Sequence, residues 1–219
     1  MKRSLAAMIA ALLMVALFAS GTFATTSKLT SVGTWKVSMG PNYASTKSAT
    51  TTGGAGVSFS TDSASYVDLL TTTQDKSLLG DLTGKTITAT FTVTASPDAK
   101  YIYDLSGGNT CTPAVAFVRP YFKSNLKGPF APTNYWWANP GSYTFLDGTT
   151  ATITLTVPLG DGTSWTDYNG QQDTAGFAQA ITNVGQIGLS FGGGCFFANG
   201  VGLSTGTASF LLTSYTVSP

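Results

Sequence analysis

The sequence predicts an all-β protein: a two-sheet antiparallel β-sandwich of the jelly-roll kind, following an N-terminal signal peptide. Three observations lead to that fold class. Residues 85–94, 151–157 and 187–191 alternate apolar and polar side chains with a period of two, the pattern of half-buried strands. Turn signals rich in Gly, Asp, Asn and Pro separate the runs, as at Gly53-Gly54, Gly107-Gly108-Asn109, Asp147-Gly148 and Asp161-Gly162. Only residues 175–181 read as a helix, and a short one.

Taken along the chain, strands are expected at residues 34–39, 57–60 and 66–71, with a long Ser/Thr-rich loop over 45–56. In 85–94, Ile87, Ala89, Phe91 and Val93 line one face, and Thr86, Thr88, Thr90, Thr92 and Thr94 the other. Such threonine rows keep an outer face soluble with little charge. A strand at 100–104 follows. Residues 115–122 carry apolar groups on both faces, as a central strand does, and Pro120, which has no N–H, is expected to mark a bulge or the strand's end. Tyr135, Trp136 and Trp137 form a further strand. Ile153, Leu155 and Val157 then alternate with Thr152, Thr154 and Thr156, and the last strand covers residues 208–217.

The ends and the composition bound the rest. Lys2 and Arg3 precede an apolar run from Leu5 to Ala19 and a small-residue site ending at Ala24, so residues 1–24 are expected to be a cleaved signal peptide. Residues 25–219 form a single β-sandwich domain, secreted or periplasmic through bacterial export. Cys111 and Cys195 are expected to form a disulfide in an oxidising compartment, worth roughly 3–5 kcal/mol in the chain-entropy model. After cleavage nine basic residues stand against ten Asp, a net charge of −1, which disfavours nucleic acid and anionic membranes as partners. The chain has no His and no Glu, and Arg119 is its one Arg beyond the leader. Imidazole chemistry is excluded and the usual metal cages are disfavoured.

Several segments resemble carbohydrate-binding modules with a galactose-binding-like jelly roll. Leu82-Thr83-Gly84-Lys85-Thr86-Ile87 looks like the start of an early strand of that family. Residues 115–122, Tyr135-Trp136-Trp137 followed by 151–159, Val184-Gly185-Gln186-Ile187-Gly188-Leu189 and 208–217 resemble further strands, in the family's order. The resemblance covers most of the mature chain and implies a sandwich that binds glycans. It also implies a departure: where the family's last strand often carries an Asp linked to calcium, this chain has Leu212-Thr213-Ser214-Tyr215. The 192–202 stretch resembles a feature of a narrower group of secreted bacterial proteins, a likeness that implies no particular activity.

The candidate ligand-binding residues follow from sugar chemistry. Sugar C–H faces pack on aromatic rings, and sugar hydroxyls need planar polar partners. Trp136, Trp137, Trp165 and Tyr168 supply rings, Trp165 in a turn-like, polar context, with Asn134 and Asn169 beside them. Trp136 and Trp137 must point to opposite faces of a strand, so at least one belongs to the core. Arg119 shares a face with Val115, Phe117 and Tyr121. It is expected to pair with an Asp or to offer a ligand a planar fork, stacked on Tyr121. Asp161, Asp167, Asn169 and Asp173 suggest a calcium loop, but the bidentate Glu is missing, and such residues more often cap turns. No cofactor or metal is therefore expected, a structural calcium ion being a minor alternative.

The expected function is a secreted, non-catalytic protein that binds a polysaccharide or glycan surface by aromatic stacking and neutral hydrogen bonds. The alternatives are a structural or adhesive extracellular protein and, less favoured, an Asp-based glycan-cleaving enzyme.

Overall fold

A computed structural model describes residues 29, 34–49, 52–105, 114–126, 131–139, 142–193 and 198–219. The expected signal peptide (1–24), Cys111 and Cys195 lie outside the described residues.

The fold is an all-β sandwich of two antiparallel sheets. In chain order the strands are β1 (Trp35–Met39), β2 (Ser45–Ser48), β3 (Ala55–Phe59), β4 (Val67–Thr72), β5 (Thr86–Ala95), β6 (Lys100–Tyr103) and β7 (Ala116–Ser124). They continue with β8 (Tyr135–Ala138), β9 (Tyr143–Thr144), β10 (Ala151–Pro158), β11 (Trp165–Asp167), β12 (Val184–Gly193), β13 (Val201–Thr205) and β14 (Ala208–Ser218). One helix, α1 (Thr174–Ala180), precedes β12, and its first turn is capped by Asp173, whose Oδ1 accepts from the Gly176 amide at 2.9 Å.

The smaller sheet has the order β10-β5-β14-β3. β5 and β10 pair from Thr86↔Pro158 to Val93↔Ala151 without a register shift, which sets Thr90 opposite Thr154 and Thr92 opposite Thr152. Their hydroxyls bond across the strands at 3.0 and 2.9 Å. The outer face of this sheet is thus the predicted threonine array, with two pairs of its hydroxyls bonded to one another.

The larger sheet has the order β11-β8-β7-β12-β4-β1-β2, with β9 on β7 and β13 between β4 and β6. Its inner face presents Val37, Leu70, Val118, Phe122, Trp136, Ile187, Leu189 and Phe191 to Ile87, Ala89, Phe91, Phe210 and Leu212 of the smaller sheet. Rings lock the two layers: Phe91 stacks on Phe210 at 4.5 Å, and Phe191 meets Phe210 edge-on at 5.2 Å. At one end Trp165, Phe122, Trp136 and the helix residue Phe177 pack together. Burying rings of this size drives the sandwich to close, at about 1.5–3 kcal/mol each for Phe.

Three expectations need correcting. The supposed loop over 45–56 contains β2, which pairs with β1 through Lys47↔Val37, and the start of β3. β2 is a short, polar, mostly exposed edge strand, and edges carrying Lys resist further pairing. Pro120 lies mid-strand in β7, opposite Leu189, instead of ending it. On the other flank of β7, β8 pairs only from Tyr121 onward and β9 only at Phe117 and Val118, so the missing N–H falls in a gap between partner strands. Trp165 belongs to strand β11, opposite Ala138, not to a turn.

Candidate functional site

The outer face of the larger sheet carries a second, smaller hydrophobic cluster, separate from the sandwich core: Leu69, Tyr121, Trp137 and Ala198, with Tyr135 against them. Strand alternation puts it there. Trp136 and Ala138 turn inward, so Tyr135 and Trp137 turn outward; Val118 and Phe122 turn inward, so Phe117, Arg119, Tyr121 and Lys123 turn outward. In β4 the register slips between Ser38↔Leu69 and Met39↔Val67, and this bulge leaves Asp68 as the extra residue between core-facing Val67 and outward Leu69.

Aromatic rings dominate the face. Trp137 lies 5.5 Å from Tyr121, 6.5 Å from Tyr135 and 6.1 Å from Tyr168, while Tyr135 and Tyr168 meet edge-on at 5.9 Å. Ser190 fastens the centre, its Oγ accepting from Trp137 Nε1 and from the Ala198 amide, each at 3.0 Å. Gln186 joins strands, accepting from the Tyr121 hydroxyl at 3.2 Å and donating to Thr71 Oγ1 at 3.0 Å. Trp137 and Tyr121 are buried, but Tyr43 and Tyr168 are 43% and 48% exposed. These two are the exposed aromatic residues among the described ones, and Tyr168 and Tyr135 both help raise the Tyr43 hydroxyl.

Charge and strain gather on the same face. Asp68 is 2% exposed; burial pushes its carboxyl up to about 8, against a backbone hydrogen bond from Tyr43 that lowers it, with Asp104 nearby adding to the rise. The Tyr43 hydroxyl is raised by desolvation and then by Asp68, Tyr168 and Tyr135. Burial alone pulls Arg119 down to about 10, so it stays cationic at neutral pH, with its guanidinium carbon 5.4 Å from the centre of the Phe117 ring. Tyr43 (φ 58°) and Ala198 (φ 51°) are the non-glycine residues with left-handed backbones among those described, and both border this face. Such conformations cost energy and persist only where neighbours enforce them.

Of the sequence-predicted site residues, the fold brings Trp137, Arg119 and Tyr168 to the outer face, with exposed Asn169 in the turn beside Tyr168. It does not bring Trp136, Trp165 or Asn134 there. Trp136 and Trp165 are wholly buried in the sandwich core, and Asn134 is buried with its Oδ1 accepting from Ser124 Oγ at 3.1 Å. Neither Trp136 nor Trp137 is exposed. The carboxylates considered for calcium cap backbone turns: Asp161 Oδ1 accepts from the Thr163 amide and Asp167 Oδ1 from the Asn169 and Gln171 amides, all within 2.9 Å.

Sequence reasoning missed Tyr43 and Asp68. A signal for the second existed: a lone carboxylate inside the otherwise apolar run Val67-Asp68-Leu69-Leu70. A groove of about 530 Å³ lies elsewhere, at the end of the smaller sheet, lined by Ser58, Phe59, Thr94, Ser96, Thr207 and Ser209 among others. It has hydroxyls but no exposed ring, which makes it the weaker candidate.

No family model, curated protein or solved structure matches the chain.

Proposed function

We propose that the protein is a non-catalytic glycan-binding domain whose ligand lies on the outer face of the larger sheet, across Tyr43 and Tyr168. One observation carries this reading: the two exposed aromatic residues among those described converge on one cluster, beside a buried carboxyl group. Tyr168, backed by Tyr135 and the buried Trp137, suits stacking against sugar C–H faces, because little side-chain freedom is lost on binding. Asn169 lies within reach in sequence to bond sugar hydroxyls. The resemblance of the strand segments to galactose-binding-like carbohydrate-binding modules points the same way, as an analogy of fold. In this reading the chain is exported by a bacterium, loses residues 1–24, and is held by a Cys111–Cys195 disulfide.

Pull-down on insoluble cellulose, chitin, xylan and mannan tests it. The wild type is retained on at least one, Tyr168→Ala is not, and no reducing sugar is released. Retention unchanged in both Tyr168→Ala and Tyr43→Ala overturns the placement, and retention on none overturns the function.

A further inference from the structure

We propose that Asp68 is the hydrogen-bonding anchor of this face, taking a hydroxyl of a saccharide whose ring lies against Tyr43 and Tyr168. The proposal rests on the glycan-binding reading above. Its basis is an incomplete set of bonds. One side of the carboxyl group is engaged: Tyr43 gives it a backbone hydrogen bond, and Gly200 stands so close that a Cβ there would come within 2.7 Å of Oδ1. The other oxygen, Oδ2, is buried and has no hydrogen-bond partner among the described residues. Buried carboxyl oxygens are almost always bonded, and one left open costs stability that an apolar residue at the same place would not. The neighbouring outward residue of β4 is such a residue, Leu69, which packs on Tyr121 and Trp137.

The surroundings select the ligand's chemistry. Asp104 adds negative potential at Asp68, while Arg119 and Lys123 stand on β7, between β4 and the β8–β11 edge that carries Tyr168, with Lys123 Nζ 4.9 Å from the centre of the Tyr135 ring. A carboxylate or sulfate set against Asp68 would therefore meet repulsion where a sugar hydroxyl meets an unbonded oxygen. The cover is the short Pro41–Tyr43 turn, tied to β4 through the Gly40 amide on the Tyr66 carbonyl at 2.8 Å. Its last residue, Tyr43, holds a left-handed backbone, so the turn beside the carboxyl group is strained and also presents a stacking ring. A hydroxyl reaching Oδ2 enters beside that ring.

Affinity electrophoresis of the full chain, in gels holding barley β-glucan, xylan, galactomannan or polygalacturonate, tests the assignment. The expected result is retardation of the wild type by at least one polymer, at least tenfold weaker in Asp68→Ala and Asp68→Leu, both folded by circular dichroism. The two variants guard against each other's misfolding, since Ala adds no bulk and Leu suits the apolar neighbours. If Tyr168→Ala loses binding while both Asp68 variants stay within twofold of wild type, the anchor is refuted and the glycan reading stands. No retardation of the wild type by any polymer removes the reading and the anchor together.

Discussion

Replacing Asp68 by Asn should change how stability depends on pH more than it changes the fold. The carboxyl group titrates at about 8 in the folded chain against an ordinary 3.8, with burial as the main cause. The sign follows from proton counting. Between pH ~4 and ~8 the unfolded chain has released this proton and the folded chain still holds it, so stability falls as pH rises across that window. At about 1.4 kcal/mol per tenfold change in proton affinity, the rise from 3.8 to about 8 amounts to on the order of 6 kcal/mol. An asparagine side chain carries no such proton. Urea unfolding followed by tryptophan fluorescence, at intervals from pH ~4 to ~9 to span the two pKa values, gives the difference between variant and wild type. With rising pH that difference should grow steadily in favour of the Asp68→Asn variant. No other group changes between the two chains, so the comparison isolates this one carboxyl. A difference that stays constant within about 1 kcal/mol across the window would refute a buried, unpartnered acid at this position.

Three further outcomes are expected. Tyr168→Ala should abolish glycan retention while lowering stability by less than about 1 kcal/mol, because the ring is half exposed; paired pull-down and urea midpoints check both. Trp165→Ala, or Trp136→Ala, should cost about 3–5 kcal/mol, because each ring is wholly buried against Phe122 and Phe177, and the same urea assay reads the loss. Gly188→Ala should lower the yield of folded protein and the urea midpoint sharply, since a Cβ there would run into the Leu70 carbonyl oxygen of the adjacent strand.

The smaller sheet was legible in the sequence because its outer face meets water. A period of two is then written directly into residue type, and β5 and β10 begin and end within one residue of their expected bounds. The larger sheet was less legible. β9 and β11 have two and three residues, too few to show a period, and they form because β7 and β8 offer them a ladder. The candidate site failed to show for a related reason. Trp136 and Trp137 had to face opposite ways, and they do, but alternation could not tell that the outer face is itself covered by a second cluster. Tyr43 was hidden because its role depends on a turn packing onto β4, a contact between segments distant along the chain.

The two outer faces, built from one composition, argue for where the function lies. On the smaller sheet the polar groups close on themselves: Thr90 bonds Thr154, Thr92 bonds Thr152, and the Thr213 and Thr216 hydroxyls reach backbone carbonyls of β5. The chain can therefore make a satisfied outer sheet face with hydroxyls alone. On the larger sheet it places a buried carboxyl oxygen without a partner among the described residues, a cationic Arg119 drawn out of water, and two non-glycine residues with left-handed backbones. None of these is required to close a sandwich whose core already holds the buried rings of Trp35, Trp136 and Trp165. The open carboxyl oxygen and the two left-handed backbones lower stability, and they gather on the face where the ring cluster meets Tyr168. Features that oppose folding and converge on one place are the expected mark of a site kept for binding.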